Sequence, residues 1–174
     1  MTREEILIKS IWTTGKMKVH SNFFETDVNV DLLVSDFNLE ETHEIISEKF
    51  VQGVNDFLNL SVDFKPLMKR LLYKHCIECC ENTSYGFKVL KGETEAQANL
   101  RQFGIKDEQT AFEKSHLRSV IIAETELEVN RYVRILFYPD WDNDHGCELI
   151  VKNGILLDHY GSNGIYLGQF DDEP

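Results

Sequence analysis

The sequence predicts an α+β protein, with a mainly antiparallel sheet and a helix pair packed on one face of it. Apolar and polar residues alternate before residue 35, apolar residues recur at spacings of three and four between 39 and 81, and alternation returns from residue 116. Strands, then two helices, then strands in hairpin order are typical of this class. We expect a single α+β domain over residues 1–174, with the helix pair at 35–82 inserted between N-terminal strands and a C-terminal β-meander at 116–170.

The N-terminal residues 5–35 are expected to form β structure. Short strands are predicted at 6–8 and 11–12, and a longer strand follows the turn-prone residues 14–16 and extends from about 23 to 35. The apolar face of this long strand is formed by Phe24, Thr26, Val28, Val30, Leu32 and Val34. Glu25, Asp27, Asn29 and Asp31 share the opposite face, so one face is predicted to be buried and the other exposed.

Two helices are predicted next. Asn38 fits an N-cap and Glu41 completes a capping box, which predicts a helix from about 39 to 59. The second helix is expected over about 63–81, with Pro66 tolerated in its first turn. Its inner side is lined by Leu67, Met68, Leu71, Leu72, His75, Cys76, Cys79 and Cys80.

The rest of the chain is predicted to end in the meander. Residues 82–115 carry weak signals, with short helices expected at 94–102 and 108–114. The Asn153-Gly154 dipeptide is the strongest hairpin signal, because both residues tolerate the positive φ of a type I′ turn. Meander strands are expected at 117–122, 129–138, 147–151, 155–159 and 165–168.

The chain carries a formal net charge of −12, from 30 acidic and 18 basic residues. A field of this sign repels nucleic acid and anionic lipid and attracts basic proteins, so we expect a basic protein partner, no nucleic acid and no membrane. The alternative interpretation is that the acidic residues only keep the protein soluble. No stretch approaches the ~20 apolar residues of a membrane-spanning helix, and the N terminus lacks a secretory apolar region. We therefore expect a cytoplasmic protein.

One connection between predicted strands holds the densest polar chemistry of the chain. Asp140, Asp142 and Asp144 alternate like the first ligands of a calcium loop, which makes a divalent metal ion an alternative hypothesis. The loop glycine comes one place late, at Gly146, and Val151 stands where a bidentate glutamate is expected. The other interpretation is a turn whose aspartates cap backbone N–H groups.

His145 fits a general base oriented by a neighbouring aspartate, since imidazole titrates near neutrality. No nucleophile or oxyanion hole accompanies it, so no catalytic residue is predicted, and a protein that is not an enzyme and has no cofactor is favoured. A competing interpretation is that Trp141 and His145 only anchor the loop. The predicted binding residues are Trp141, Asp142, Asp144, His145, Tyr160 and Tyr166. The two tyrosines are interpreted either as a contact surface at the sheet edge or as core aromatic residues that flank a turn.

The four cysteines are Cys76, Cys79, Cys80 and Cys147. Three of them lie together on a predicted helix in a chain without an export signal, which favours free thiols. Joined by His75 and by Cys147 or His145, they would complete a thiolate zinc site. The favoured interpretation is that they are small buried hydrophobic residues on the helix stripe.

The motif Trp141-Asp142-x-Asp144-His145-Gly146, followed by a hairpin and Gly168, resembles the Trp-Asp-x-Glu-His-Gly signature of small bacterial proteins of unknown function. The resemblance is closest over residues 132–168. This chain departs from it in Asp144, where the family often has glutamate, in Cys147, and in an extra turn at 160–164. Some of these proteins occur in gene neighbourhoods that resemble those of polymorphic-toxin immunity proteins, which implies a role in protein binding.

Two functional hypotheses follow, beside a third possibility, a structural or regulatory domain with no small-molecule chemistry. The first is a non-enzymatic cytoplasmic protein-binding domain, such as an immunity protein that neutralises a basic toxin through an acidic surface. The alternative is a metal-binding domain or metal-dependent hydrolase centred on the loop from Asp140 to His145.

Overall fold

The computed structural model describes residues 1–11, 13–34, 46–124 and 129–171, which form a seven-stranded sheet and five α-helices. The helices are α1 (Arg3–Lys9), α2 (Glu48–Leu58), α3 (Lys65–Asn82), α4 (Glu95–Phe103) and α5 (Glu108–Glu113). The strands are β1 (Ser10–Ile11), β2 (Lys16–Ser21), β3 (Thr26–Val34), β4 (Ser115–Glu124), β5 (Tyr132–Pro139), β6 (Cys147–Lys152) and β7 (Ile155–Gly161). Short 3₁₀ turns occupy Val62–Phe64 and Leu167–Phe170.

The strands lie in the sheet in chain order, from β1 to β7. Every neighbouring pair is antiparallel except β3 and β4, which run parallel with Val30 opposite Val120. Parallel strands need a crossover connection, and the chain between them, which includes α2 to α5, supplies it. The predictions of an α+β protein and of a mainly antiparallel sheet are therefore confirmed.

The helices α2 and α3 contribute much of the core. α2 follows Ser47, whose side chain accepts a hydrogen bond from the backbone N–H of Phe50, and α3 has Pro66 in its first turn as expected. α2 contacts β4 and β5, and α3 contacts β6 and β7. One buried cluster joins side chains of both helices to the strands and includes Phe50, Val54, Phe57, Met68, Leu71, Leu72, Val120, Ile122, Val133, Ile135, Leu149 and Val151. Burial of each such side chain contributes about 1.5–3 kcal/mol.

The N-terminal prediction is partly wrong. Residues 6–8 belong to α1 rather than to a strand, because Thr2 and Glu5 form a capping box that starts a helix. Their burial does not alternate with a period of two, since Ile6 is fully buried while Ile8 is 83% exposed. The prediction also missed β2, in which Met17, Val19 and Ser21 are buried and face the core. Trp12, predicted to lie in a strand, falls outside the described residues.

Two later elements also differ from the prediction. A continuous helix over 39–59 is wrong, because Ser47 is extended and caps the start of α2. The proposed cap at Asn38 and Glu41 lies outside the described residues. Residues 167–170 form a 3₁₀ turn instead of a strand at 165–168, because Leu167 and Phe170 are both buried at a spacing of three.

The C-terminal hairpin is confirmed. Asn153 and Gly154 both have positive φ, at 49° and 85°, and connect the antiparallel strands β6 and β7. All six residues of β6 are buried, so this strand is covered on both faces. The connection between β5 and β6 therefore leads into a fully buried strand. No helix among the described residues has the length and apolar character needed to cross a bilayer.

Candidate functional site

The connection between β5 and β6, residues 140–146, is a compact turn closed by its own hydrogen bonds. The backbone N–H of Gly146 donates to the carbonyl of Asp142 over 3.1 Å, and the Asp142 N–H donates to Pro139 over 3.0 Å. Gly146 has a φ of 73°, and a Cβ there would lie 2.7 Å from the carbonyl oxygen of Phe137. Glycine at this position is therefore required by both the backbone conformation and the space available.

Trp141 anchors the connection to α3. Its side chain is 1% exposed and packs with Cys76 and Cys80 of the helix. The indole Nε1–H donates to His75 Nδ1 over 3.0 Å, and the hydroxyl of Tyr85 donates to the Trp141 carbonyl over 2.6 Å. The side chain and the backbone of this residue are thus held by different parts of the chain.

Asp142 brings a carboxylate to two side chains of α3. His75 and Cys79 lie four residues apart and therefore on the same face of that helix. Asp142 Oδ2 lies 3.7 Å from His75 Nε2 and 3.9 Å from Cys79 Sγ, and the last two atoms are 3.6 Å apart. Its other oxygen, Oδ1, accepts from the backbone N–H of His145 over 3.1 Å and lies 3.1 Å from His145 Nδ1.

The hydrogen bond from Trp141 determines the tautomer of His75. Because Nδ1 accepts the indole proton, a neutral ring carries its own proton on Nε2, which faces Asp142 and Cys79. Burial lowers the pKa of His75 in spite of the nearby carboxylate of Asp142, so the ring is neutral near pH 7. Burial, and then the charge of Asp142, raises the pKa of the Cys79 thiol to about 12.

This arrangement does not provide an activated nucleophile. A cysteine nucleophile needs a lowered pKa or a neighbouring base, whereas Cys79 is a thiol and His75 presents an N–H to it. The same three atoms do offer the nitrogen, sulfur and oxygen donors that transition metals bind. Among the described residues, they are the one set of three His, Cys, Asp or Glu ligand atoms found within 4.8 Å of one another.

A cleft of about 380 Å³, here called the acidic cleft, opens beside this cluster. It is lined by Cys79, Thr83, Tyr85, Phe87, Phe103 and residues 140–145. The rings of Tyr85 and Phe87 are stacked with centroids 5.8 Å apart, and Phe103 meets both edge-on. A second cavity of about 260 Å³ lies on the Tyr160 side of the same cluster and shares Cys79 and Asp142 with the cleft.

Comparison with known proteins identifies the family. The chain matches the family model described as a domain of unknown function, DUF6985, over residues 3–172. It belongs to this family. No curated protein and no solved structure matches the chain. The expected resemblance to a family of unknown function is confirmed at that level.

In this DUF6985 domain the three alternate aspartates have different surroundings. Asp140 pairs with His116 over 2.9 Å and with Lys114 over 3.4 Å, at the rim of the acidic cleft. Asp142 turns to α3, as described above. Asp144 is exposed and lines the cleft, and no hydrogen bond or ion pair of its side chain is found among the described residues. Of the three predicted metal ligands, only Asp142 joins the cluster of potential ligand atoms.

The other predicted binding residues are separated from one another. His145 is exposed at the surface of the connection and contacts Asp142. Tyr160 donates its hydroxyl to Glu78 of α3, and its ring meets that of His75 with centroids 6.0 Å apart. Tyr166 is 78% exposed and lines neither cavity beside the cluster.

The cysteines are free thiols, as predicted. Cys76, Cys80 and Cys147 are buried in apolar clusters, in accord with their interpretation as small hydrophobic residues. Cys79 differs because it is half-buried and faces Asp142. Sequence reasoning placed His75 with the cysteines but did not connect Asp142 to α3. The four-residue spacing of His75 and Cys79 was the available signal.

Proposed function

We propose that this domain is a non-enzymatic protein-binding domain that recognises a basic partner protein, and that the acidic cleft receives a cationic side chain of that partner. The observation that carries the proposal is the lining of the cleft. Asp144, whose side chain has no hydrogen bond or ion pair among the described residues, lines one opening together with Asp140, Asp142 and the aromatic rings of Tyr85, Phe87 and Phe103.

This lining suits an arginine or lysine side chain. A guanidinium or ammonium group gains from the face of an aromatic ring, by about 0.5–2 kcal/mol, and from a nearby carboxylate. The aromatic rings of the cleft pack against one another, and Tyr85 is tied to the Trp141 carbonyl, so the cleft is largely preformed. A preformed site lowers the entropic cost of binding.

The charge of the whole chain supports the same partner class. A net charge of −12 speeds the encounter with a basic protein and disfavours acidic competitors. The resemblance of residues 141–146 suggests that the partner is a basic toxin and the domain its cytoplasmic immunity protein. We also propose that α2 and α3 together cover one face of the sheet, since both contribute to the same buried cluster.

The proposal is tested by titrating the domain with a short arginine-rich peptide and with the same peptide carrying citrulline in place of arginine. The arginine peptide should bind, with an affinity that falls as salt is raised, and the citrulline peptide should not. The double variant Asp140→Asn and Asp144→Asn should weaken binding about tenfold, which corresponds to about 1.4 kcal/mol.

A matched control removes the same number of charges elsewhere. Asp27 and Asp31 lie on β3, which is separated from β6 by two strands, and the ion pairs found for them among the described residues, with Lys16, Lys18 and His20, are solvent-accessible. The variant Asp27→Asn and Asp31→Asn should bind the peptide nearly as well as the unchanged domain. Equal weakening by both double variants would assign the effect to net charge and overturn the cleft. Failure of the arginine peptide to bind would overturn the partner class.

The alternative function, a metal-binding domain or metal-dependent hydrolase centred on the loop from Asp140 to His145, stays a prediction. The different surroundings of Asp140, Asp142 and Asp144 do not favour a metal ion held by all three, since only Asp142 joins a cluster of potential ligand atoms.

A further inference from the structure

We propose that His75, Cys79 and Asp142 form a transition-metal site, best suited to Zn²⁺, with a coordination position open to solvent. The ligand atoms are His75 Nε2, Cys79 Sγ and Asp142 Oδ2. This inference does not rest on the proposed protein-binding function, and it concerns the metal ion alone.

The distances between the three atoms fit a tetrahedral ion. Zinc binds thiolate sulfur at about 2.3 Å and imidazole nitrogen or carboxylate oxygen at about 2.0–2.2 Å, so tetrahedral angles place the ligand atoms roughly 3.4–3.6 Å apart. The observed separations are 3.6 Å from nitrogen to sulfur, 3.7 Å from nitrogen to oxygen and 3.9 Å from sulfur to oxygen. Only small side-chain movements are needed to complete the geometry.

The three ligand residues are also held in place as the ligands of a metal site usually are. His75 and Cys79 lie one turn apart on an 18-residue helix, which fixes their separation. Asp142 is oriented by two contacts to its other oxygen, from the backbone N–H and the ring of His145. Such outer hydrogen bonds to a ligating carboxylate are usual in metal sites, and they leave Oδ2 directed at α3.

The number of ligands distinguishes this site from a structural zinc centre. Structural zinc is normally held by four protein ligands, whereas three ligands with an open position are typical of zinc that binds water or a substrate. Both cavities beside the cluster are lined by Cys79 and Asp142. A fourth ligand can therefore reach the ion from solvent.

The hydrogen bond from Trp141 to His75 opposes metal binding, and this opposition can be tested. A metal on His75 Nε2 moves the ring proton to Nδ1, where it faces the N–H of Trp141. Metal-bound histidines normally donate that second N–H to an acceptor, and changing such a partner alters affinity by about 10–100-fold. Trp141 therefore weakens the site, and removing its N–H should strengthen it.

The test is a titration of the purified domain with Co²⁺ and then Zn²⁺, with no peptide present. One equivalent of Co²⁺ should bind and show thiolate-to-cobalt charge-transfer absorption, and Zn²⁺ should displace it. Cys79→Ser should abolish that absorption, and Asp142→Asn should weaken binding at least about tenfold. Asp144→Asn is the matched control, since it removes a carboxylate two residues away that does not belong to the cluster.

Two further measurements test whether His75 Nε2 and Cys79 bind the metal. Trp141→Phe should bind metal about tenfold more tightly, and equal or weaker binding would overturn the role of His75 Nε2. In the unchanged domain, bound Zn²⁺ should protect Cys79 from alkylation, as located by mass spectrometry. Metal that binds without protecting Cys79, or that is lost in Asp144→Asn but kept in Cys79→Ser, would overturn the site. Absence of stoichiometric metal binding would do the same.

Discussion

The connection at 140–146 and the turn at Asn153-Gly154 lie at opposite ends of β6, and each is held against a helix by different contacts. Each is polar, each contains a glycine with positive φ, and each is joined to a helix. The turn is joined to α2 through Arg131, which pairs with Asp56 over 2.7 Å. The connection is joined to α3 through a buried indole and imidazole.

The difference lies in what each loop leaves available. In the turn, the Asn153 side chain accepts from the backbone N–H of Arg131 over 3.0 Å and donates to Asn130 Oδ1 over 2.8 Å, so both of its polar groups are engaged within the protein. In the connection, Asp142 Oδ1 accepts from the backbone N–H of His145, whereas Oδ2 faces Cys79 and His75. Similar turn chemistry thus produces a purely structural loop in one place and a potential ligand site in the other.

The largest expected effect compares Trp141 of the connection with Asn153 of the turn. Trp141→Ala should destabilise the domain by about 4–5 kcal/mol, because it removes a fully buried aromatic side chain and leaves His75 Nδ1 without its donor. Urea unfolding followed by circular dichroism measures the change. Asn153→Ala should cost less than half as much, since it loses hydrogen bonds at an exposed turn. Similar losses for the two variants would remove the contrast between the loops.

The next effect compares the two glycines. Gly146→Ala should cost about 2–4 kcal/mol, because it adds αL strain to a Cβ only 2.7 Å from the Phe137 carbonyl oxygen. Gly154→Ala should cost about 1–2 kcal/mol, because it adds the same αL strain but its Cβ would come no closer than 3.3 Å to a neighbouring atom, Asp56 Oδ1. Thermal unfolding of both variants gives the ranking. A larger loss at Gly154 would contradict it.

Much of the fold could be predicted because its signals are local. The Asn153-Gly154 turn, the short helices α4 and α5 and the alternation of β3 depend on neighbours in sequence. The errors arose where another signal competed. The apolar run at 6–8 suggested a strand, but the Thr2 and Glu5 cap favoured a helix. The parallel pairing of β3 and β4 depends on contacts over about 90 residues, which no local pattern encodes.

The candidate site could be predicted only in part, because it too depends on contacts between residues that are distant in sequence. The importance of Trp141 and Asp142 was evident from the density of polar residues around them. Their partners His75 and Cys79 are more than 60 residues away, on a helix whose stripe was interpreted as core. That interpretation is correct for Cys76 and Cys80 and incomplete for Cys79, because the pattern does not reveal which edge of a stripe faces a loop.

A smaller effect tests the anchor of the turn. Arg131→Met should cost about 1–3 kcal/mol, because it leaves Asp56 half-buried without the two hydrogen bonds that Arg131 donates. Arg70→Met is the control, since its pair with Asp158 is exposed and should be worth less than about 1 kcal/mol. Chemical denaturation at low and high salt measures both. A loss from Arg70→Met as large as that from Arg131→Met would show that burial does not set the strength of these pairs.

The smallest effect tests whether the connection is held from two sides. Tyr85→Phe keeps the ring against Phe87 and Phe103 but removes the hydroxyl that donates to the Trp141 carbonyl, so stability should fall by only about 0.5–1.5 kcal/mol. Tyr73→Phe is the control, because Tyr73 packs against the buried cluster that contains Trp141, and no hydrogen bond of its hydroxyl is found among the described residues.

Amide hydrogen exchange gives the decisive measurement. The N–H groups of His145 and Gly146 should exchange faster in Tyr85→Phe while that of Asn153 is unchanged, because only the connection depends on this tether. Equal acceleration at Asn153 would mean that β6 transmits the change, and that its two loops are not independent.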